Sequence, residues 1–310
     1  VVDEEHDQSY KQLDPAPRYH ARDCAVVLAQ LHHAKVLLGT ATPSLETFYN
    51  VQQKKYGYIP LMQRFAKSVL PEIWVVNMAE SSRQKKVTGI FSHFLIDKIA
   101  AALEKKEQVI LFQNRRGYSL RMICNTCQTS PICKYCDVTL TYHKRSNLLK
   151  CHYCGYAIDV PQECPTCHST DIEMRGFGTE KIEDELTALF PNAVVQRMDM
   201  DTTRSKNGHQ KIISDFEQHK IDILVGTQMV TKGLDFDRVS VVGVLSADNL
   251  ISFPDFRAFE RAFQIMSQVS GRAGRKEVPG TVVIQSYQPD HPALKYVVSN
   301  DFASMCRSQI

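Results

Sequence analysis

The 310-residue sequence predicts an α/β protein with two parallel-sheet domains and a small cysteine-rich insert in the second domain. Short apolar strands alternate with helices on both sides of a cysteine cluster, and such alternation gives a parallel sheet with right-handed crossovers. The chain is too long for one compact core of ordinary size, which favours two domains plus an insert. Its apolar fraction of 43% is typical of a soluble globular protein, and no apolar run approaches the ~18 residues of a membrane span.

Net charge and the start of the chain give weaker indications. A net charge of +3 is too small to indicate a polyanionic partner, so the positions of the basic residues matter more. The sequence begins with Val1 and Val2 rather than Met, which we interpret as the start of a fragment. Cys24 and Cys306 lie outside the cysteine cluster and are expected to be ordinary thiols.

An apolar segment, Val1-Val2, leads directly into the acidic residues Asp3, Glu4 and Glu5 and then His6. If the valines end a parallel strand, the carboxylates lie at the carboxyl edge of a sheet, where ligands bind in α/β proteins. An Asp there can hold Mg²⁺, and the next Glu can polarise a water for attack on a phosphate. The alternative is an exposed acidic loop after a strand.

Aromatic and basic residues are interleaved with prolines between residues 9 and 22. Basic side chains meet phosphates and aromatic rings stack on bases, so this stretch is a candidate contact for single-stranded DNA. The alternative is a loop that packs on its own aromatic residues. The candidate contacts are Tyr10, Lys11, Arg18, Tyr19 and Arg22.

The next elements continue the strand and helix alternation. A helix is predicted over 21–34 and a strand over 35–38, followed by the hydroxyl-rich turn 39–42 and a second helix opening at Ser44 after Pro43. That turn either responds to phosphate occupancy or is a plain β–α connection. Arg115 and Arg116 follow a further strand and suit a phosphate or base contact, or form an ordinary charged strand end. The remaining elements are strands over 58–61, 73–76 and 109–113 and a helix over 91–107.

Eight cysteines form four C-x-x-C pairs, and two such pairs complete a closed, tetrahedral, structural zinc site. Disulfides and a chance run of buried cysteines are the alternatives, and both are disfavoured in the reducing compartment expected of a sequence without a secretory segment. Two zinc ions are therefore predicted, and they should supply most of the folding energy of this small region. Spacing alone leaves adjacent and nested pairings open. The pairs are Cys124/Cys127, Cys133/Cys136, Cys151/Cys154 and Cys164/Cys167.

Residues 139–150 are predicted to form a β-hairpin between the cysteine pairs. After the cysteines, helices over 180–190 and 210–219 alternate with strands over 193–198 and 221–225. Because the same rhythm precedes the cysteines, the cysteine region interrupts a second α/β domain rather than separating two domains.

Two further motifs follow in this second domain. Gly226 to Asp235 comes after a buried strand and mixes glycines with hydroxyl, amide and acidic groups. The glycines allow close approach of the backbone to a phosphate, and Asp235 can bind a ribose hydroxyl or pair with a neighbouring arginine. Arg272 and Arg275 are predicted to lie on one helical face, three residues apart at the end of an apolar helix, a spacing suited to clamping a γ-phosphate. The alternative for these arginines is a basic helix end that complements the helix dipole.

In this order, the acidic motif, the 39–42 turn, the 226–235 segment and the arginine motif resemble those of superfamily-two helicases. The four-pair cysteine insert narrows the resemblance to the PriA family of primosomal replication-restart helicases, over essentially the whole sequence. The resemblance implies two RecA-like lobes, the first incomplete, in an ATP-dependent 3′-to-5′ DNA helicase. Such an enzyme acts at stalled forks and loads the primosome.

The resemblance also implies roles for individual residues. Asp3 and Glu4 would serve Mg²⁺ and the attacking water, with Glu5 grouped beside them, and His6 would link the nucleotide to the DNA side. Arg272 and Arg275 would be arginine fingers, and residues 39–42 would couple hydrolysis to motion. The implied nucleotide contacts are Gln268, Gly271, Lys232, Gly233 and Asp235, and Thr227 is added to the DNA contacts.

The family pattern nests the zinc sites, pairing 124/127 with 164/167 and 133/136 with 151/154. Forked and single-stranded DNA, primosome proteins, the replicative helicase loader and single-stranded DNA-binding protein are the implied partners, in the bacterial cytoplasm and nucleoid. The family's glycine–lysine phosphate loop is expected upstream of Val1, so the chain alone is expected to be inactive. The boundaries are 1–88 for lobe 1, 89–120 and 173–289 for lobe 2, 121–172 for the insert and 290–310 for the start of a truncated C-terminal domain.

Two other interpretations remain open from the sequence. One is a non-catalytic zinc module that binds nucleic acid or protein on a helicase-like scaffold. The other is a different superfamily-two translocase, acting on RNA or in restriction.

Overall fold

The structure is a computed structural model that falls into two compact units. The first unit comprises Val1–Ala66 and Pro292–Ile310, and the second comprises Lys67–His291. The predicted boundary at residue 88 is therefore placed too late, and residues 290–310 are not a separate region. The structure describes all residues except 13, 62–68, 115–120, 128, 137–138, 144–145, 152–153, 176–178, 200–201, 204–207, 232–235, 254 and 275–278.

The described part of the first unit contains two short parallel strands and four α-helices. Strand β1 (Val2–Asp3) pairs with β2 (Leu38–Gly39) in parallel, so that Asp3 lies opposite Gly39. The helix predicted over 21–34 is α1 (Ala21–Leu31). The helix predicted from Ser44 is α2 (Leu45–Gln52), and the Ser44 hydroxyl accepts a hydrogen bond from the Thr47 N–H as its N-cap.

The end of the chain packs in this same unit. Helices α9 (Pro292–Ser299) and α10 (Phe302–Gln309) lie here, and the rings of Phe48 and Phe302 meet edge to face at 5.7 Å. The strand predicted over 58–61 is wrong. Those residues have no regular structure, because Pro60 cannot donate to a ladder and no strand of the described residues pairs with them.

The second unit is built on a six-stranded, all-parallel sheet of β3 (Glu72–Asn77), β6 (Gln108–Phe112), β12 (Val195–Met198), β13 (Ile223–Gly226), β14 (Val239–Val244) and β15 (Thr281–Ser286). The order of these strands across the sheet is β12-β13-β6-β14-β15-β3. Strand β3 pairs with β15 at one edge, which is why the second unit begins earlier than predicted. The strands predicted over 73–76, 109–113, 193–198 and 221–225 are all present within two residues.

Amphipathic helices cover this sheet. The predicted 91–107 helix is α4 (His93–Glu104), which Ser92 caps by accepting from the Leu95 N–H, and its buried face carries Leu95, Ile99 and Ala102. These side chains pack on the apolar side chains of the central strands. The other helices are α3 (Met78–Arg83), α5 (Thr179–Leu189), α6 (Gly208–Glu217), α7 (Asp248–Ile251) and α8 (Ala258–Ser270), and a small hairpin joins β4 (Val87–Thr88) to β5 (Phe91–Ser92).

The cysteine region is an insert between β6 and α5, as predicted. Strand β7 (Arg121–Cys124) pairs antiparallel with β11 (Ile172–Arg175), so the first and last strands of the insert lie side by side. Above it lies a three-stranded antiparallel sheet of β8 (Thr141–His143), β9 (Leu148–Lys150) and β10 (Ala157–Asp159), which confirms the predicted hairpin. The core of the insert is small, with Met122, Leu140 and Leu149 fully buried beside two cysteines.

Among the described residues, no helix combines the length and the apolar character needed to cross a bilayer.

Candidate functional site

The eight clustered cysteines form two four-thiol groups in the nested arrangement. In each group the sulfur atoms all lie within 4.8 Å of one another. The antiparallel pairing of β7 with β11 is what brings the first cysteine pair to the last, because it joins the two ends of the insert. The groups are Cys124, Cys127, Cys164 and Cys167, and Cys133, Cys136, Cys151 and Cys154.

The sulfur separations fit zinc rather than disulfides. Cys124 Sγ lies 3.5 Å from Cys167 Sγ, and Cys133 Sγ lies 3.6 Å from Cys154 Sγ. Four sulfurs around zinc at a bond length of ~2.3 Å are separated by about 3.8 Å, whereas a disulfide bond is about 2.05 Å long. Each group therefore offers a closed tetrahedral site of the structural kind, with no position left for a substrate.

Backbone N–H groups and neighbouring thiols shift the pKa values of these cysteine thiols. The N–H of Thr166 donates to Cys164 Sγ at 3.4 Å, and hydrogen bonds from the backbone of Cys167 and Thr166 lower the pKa of the Cys164 thiol to about 5. In the other group, the hydrogen bond with Cys154 raises the pKa of Cys136 to about 12. Four thiolates cannot share so small a volume without a compensating cation, and a divalent metal supplies that charge.

The acidic motif lies at the carboxyl end of β1, as predicted. Asp3 is exposed, and Glu4 follows in a left-handed backbone conformation with φ of 49°. His6 Nδ1 lies 2.8 Å from Thr40 Oγ1 and 3.5 Å from Glu4 Oε2, and Thr40 donates to Glu4 Oε2 at 3.3 Å. The parallel pairing of β1 with β2 thus brings the predicted catalytic and coupling segments into direct contact.

Glu5 is buried, whereas Asp3 is exposed, and this burial corrects the placement of Glu5 among the catalytic residues. Its side chain is 0% exposed, and its carboxylate accepts hydrogen bonds from Ser44, Thr47 and Arg22. The left-handed turn at Glu4 sends Glu5 into the unit rather than toward the edge of the sheet. A carboxylate enclosed in this way cannot bind a nucleotide or its metal.

Arg22 is likewise misassigned as a DNA contact. It is 7% exposed, and its guanidinium donates to Glu5 Oε2 at 3.0 Å and to Asp23 Oδ1 at 2.8 Å. Burial alone would lower its pKa, but the hydrogen bonds with Asp23 and Glu5 outweigh that effect and raise the pKa above its ordinary value. The guanidinium is charged and already occupied, so it cannot contact a phosphate.

The other candidate DNA contacts of the first unit lie on one loop. An isolated bridge between Lys11 and His20 closes it, and the side chains of Lys11, Arg18 and Tyr19 are exposed. Tyr10 is half-buried, and its hydroxyl donates to the backbone carbonyl of Asp3 at 2.8 Å. The loop therefore offers basic and aromatic groups to solvent while its base is tied to the acidic motif.

Two glycine-containing segments lie at opposite ends of the second unit's strands: Gly226 is at the carboxyl side, and Gly274 is at the amino side, where its N–H donates to the Val239 carbonyl at the start of β14. Gly226 ends β13, where a Cβ would lie 2.1 Å from Val230 Cγ1 and 3.2 Å from the Met198 carbonyl oxygen. Thr227 follows it and is 2% exposed, so it cannot contact DNA, which corrects its placement among the DNA contacts. Helix α8 ends at Ser270, so Arg272 lies in the turn beyond it rather than on a helical face as predicted.

The remaining candidates of the second unit lie partly within and partly outside the described residues. Gln268 and Arg272 are half-buried, and Gly271 is the exposed C-cap of α8. Gly274 has φ of 71°, and a Cβ there would lie 2.0 Å from Gly280 N, so this glycine is required for close backbone approach. Predictions for Arg115, Arg116, Lys232, Gly233, Asp235 and Arg275 lie outside the described residues.

Sequence reasoning missed the hydrogen-bonding role of Ser44 and Thr47. Ser44 was predictable as a helix N-cap from its place before an apolar run. Its second role, as a partner of Glu5 and Arg22, depends on contacts between segments about 20 and 40 residues apart, for which spacing along one helix or strand gives no signal.

Comparison with known proteins agrees with this architecture. The family model of the PriA DNA helicase Cys-rich region (CRR) domain matches residues 133–158, and that of the helicase conserved C-terminal domain matches residues 178–277. The first match covers the second cysteine group and the three-stranded sheet. The second covers α5 through the turn that holds Arg272.

Relatives match along the whole chain. The replication restart protein PriA of Bacillus subtilis is 45% identical over 310 residues, covering 100% of this chain and 38% of that protein. The protein of the same name from Chlamydia pneumoniae is 43% identical over 312 residues, covering 100% of this chain and 42% of that protein. The chain therefore spans less than half the length of these relatives.

A solved structure that resembles this chain does so remotely. Dbp5 of S. cerevisiae bound to RNA and ADP BeF3 gives a TM-score of 0.46 at 11% identity, covering 94% of this chain and 55% of that chain. A likeness at this level indicates nothing about function.

Proposed function

We propose that this chain, which is homologous over its whole length to the replication restart proteins PriA, is the motor segment of an ATP-dependent DNA helicase. The observation that carries the proposal is the pair of four-thiol groups inserted into a parallel-sheet unit that also matches the helicase C-terminal domain. The full-length protein would unwind forked DNA at stalled replication forks in the 3′-to-5′ direction. It would then load the primosome in the bacterial cytoplasm, at the nucleoid.

The partners in this proposal are forked and single-stranded DNA, primosome proteins with the replicative helicase loader, and single-stranded DNA-binding protein. The exposed basic and aromatic groups of the 10–20 loop support the DNA contact, because such groups meet phosphates and stack on bases. The protein partners follow from the relatives' names and from the resemblance of the motifs.

The nucleotide chemistry follows from the acidic motif. Mg²⁺ and ATP, when bound, supply the phosphoryl group and the charge that activates it. The exposed carboxylate of Asp3 suits an Mg²⁺ ligand, and Glu4 suits the orientation of the attacking water. Thr40 Oγ1 lies 2.8 Å from His6 Nδ1 and donates to the Glu4 carboxylate at 3.3 Å. A movement of the Glu4 carboxylate would therefore change the hydrogen bonds of the 39–42 turn.

In the second unit, the proposed nucleotide contacts are Gln268, Gly271, Lys232, Gly233 and Asp235. Arg272 and Arg275 would stabilise the charge that develops on the transferred phosphoryl group, and Arg115 and Arg116 would contact DNA. Arginine fingers of this kind are worth about 10³–10⁵ in the rate of hydrolysis.

The zinc ions in this proposal do no chemistry. Their ligands are all cysteines, so they stabilise the insert and have no open coordination position. The 310-residue chain by itself would not hydrolyse ATP, because its sequence contains no G-x-x-x-x-G-K-[ST] phosphate loop.

Substitution of Arg272 tests the proposed activity. In the full-length protein, Arg272→Ala should abolish unwinding of forked DNA and ATP hydrolysis while leaving the Kd for single-stranded DNA unchanged, because the loss concerns the transition state alone. Arg83→Ala is the matched control, since Arg83 is an exposed arginine on α3, which follows the carboxyl end of β3. Arg272, in contrast, lies two residues before Gly274, whose N–H donates to the Val239 carbonyl at the amino end of β14. Unwinding that persists in Arg272→Ala would contradict the proposed role of Arg272 as an arginine finger.

A further inference from the structure

The buried carboxylate of Glu5 is fully satisfied inside the first unit. Its Oε1 accepts from the Ser44 N–H at 2.6 Å. Its Oε2 accepts from Arg22 Nη1, Ser44 Oγ and Thr47 Oγ1, each at 3.0 Å. A carboxylate without any exposed surface is stable as an anion only where donors and a cation replace its hydration, and both are present here.

Arg22 completes the cluster from the other side. Its Nη1 also donates to Ser44 Oγ at 2.6 Å, so one nitrogen serves the carboxylate and the helix cap together. Its Nε is held by Asp23, an exposed residue on the first turn of α1. Because Arg22, Glu5 and Ser44 share their hydrogen bonds, none of the three can shift without leaving a buried polar group unpaired.

The three residues belong to three different segments. Glu5 lies between Glu4 and His6 of the acidic motif. Arg22 lies two residues after His20, where the bridge with Lys11 closes the aromatic and basic loop. Ser44 lies two residues after the 39–42 turn that contacts His6 through Thr40.

We infer that Glu5 and Arg22 are positioning residues that join the DNA-contacting loop to the hydrolytic motif and the coupling turn. This inference rests on the proposed function, because it assigns a route by which single-stranded DNA on the loop affects ATP hydrolysis at Glu4. When DNA displaces the loop, Arg22 at its base moves with it, and the shared bonds carry the displacement to Glu5 and Ser44. The adjoining contacts of His6, Thr40 and Glu4 then change.

Coupling is measured in the full-length protein as the ratio of ATP hydrolysis with and without an oligothymidylate. Energetic coupling between two sites commonly changes activity or affinity by about 5–150-fold. Glu5→Gln should therefore reduce this ratio by roughly fivefold or more. The unstimulated rate and the Kd for oligothymidylate should change less, because Glu5 touches neither ligand.

Two further variants keep the test decisive if Glu5→Gln folds poorly. Glu5→Gln combined with Arg22→Gln removes both buried charges, so it should fold better than Glu5→Gln alone while still losing the stimulation. Thr47→Val deletes one donor to Glu5 and should cause a smaller loss. The matched control is Asp23→Asn, which removes an exposed carboxylate from the same arginine and should keep the ratio.

The outcomes separate the two proposals. If the wild-type protein shows no stimulation by oligothymidylate, both the DNA-coupled motor and the positioning role are refuted. If the wild type is stimulated and the double variant keeps the full ratio, the positioning role alone is refuted. If each variant loses unstimulated hydrolysis, DNA binding and thermal stability in parallel, Glu5 and Arg22 are structural residues only, and the inference is also wrong.

Discussion

Removal of zinc should unfold the cysteine insert and leave the six-stranded sheet intact. The insert has a small apolar core, with Met122, Leu140 and Leu149 fully buried beside cysteine side chains. Burying three such side chains contributes about 5–9 kcal/mol. A structural zinc ion in a small thiolate site contributes about 10–16 kcal/mol, and the insert has two sites. Zinc binding therefore stabilises the insert more than its apolar core does, and the insert cannot stay folded without the metal.

The sheet has an independent core and should survive. Strand β6 is buried along its whole length, and α4 packs on the sheet through Leu95 and Ile99. Backbone amide exchange before and after chelation measures both regions at once. Amides of β7 to β11 should lose protection, whereas those of β6, β13 and β14 should keep it.

A pair of substitutions assigns the effect to the thiol groups. Cys133→Ser should reduce bound zinc from two ions to one and expose the amides of β8 to β10 in particular. Cys24→Ser is the matched control, because Cys24 is an exposed thiol outside both groups, and it should retain two ions. Protected insert amides after complete chelation would refute the reasoning, and so would equal loss of protection in β6.

Two smaller predictions concern the second unit, and both are read from urea unfolding midpoints. Gly226→Ala places a methyl group 2.1 Å from Val230 Cγ1 and should lower the free energy of unfolding by about 1–3 kcal/mol. Gly57→Ala is the control and should lower it much less, because no atom lies within 4 Å of the new Cβ. Equal losses of stability would contradict the packing argument. Asp199 is buried, and although burial alone would raise its pKa, hydrogen bonds with Thr179 and Thr202 and the charge of Arg197 lower the pKa below its ordinary value. A lowered folded-state pKa stabilises the protein above the unfolded pKa of ~3.9, and this stability is lost as the pH falls through the folded value. Asp199→Asn should therefore cost about 2 kcal/mol at neutral pH and progressively less below about pH 4, and a cost independent of pH would be evidence against the charged form.

Local patterns in the sequence were enough to predict most strands and helices of the second unit. Apolar runs such as 109–113 are buried on both faces, and a parallel sheet requires that composition. The edge strand β3 was also predicted as a strand, but its assignment to the first lobe was wrong. Its neighbour in the sheet is β15, which lies at the far end of the second unit's sequence, and local periodicity contains no information about such a pairing.

For the candidate sites too, the sequence predicted the features that depend on local spacing and missed those that depend on contacts between distant segments. The cysteine spacing predicted two metal ions, but the choice between nested and adjacent pairing needed either the family resemblance or the pairing of β7 with β11. Glu5 and Arg22 were misassigned because residue type indicates chemistry and not direction. Glu4 adopts a left-handed backbone conformation, and this conformation turns Glu5 inward. Glutamate rarely adopts it, so the residue type at position 4 does not predict the turn.

The central claim is that this chain is the motor segment of a DNA helicase, and strand separation tests it most directly. The full-length protein, with ATP and Mg²⁺, should unwind forked DNA, and Arg272→Ala should eliminate unwinding while binding the same fork with unchanged affinity. A wild-type protein that binds the fork and zinc but separates no strands would contradict the account. That result would instead favour a zinc-containing scaffold on a helicase-like fold.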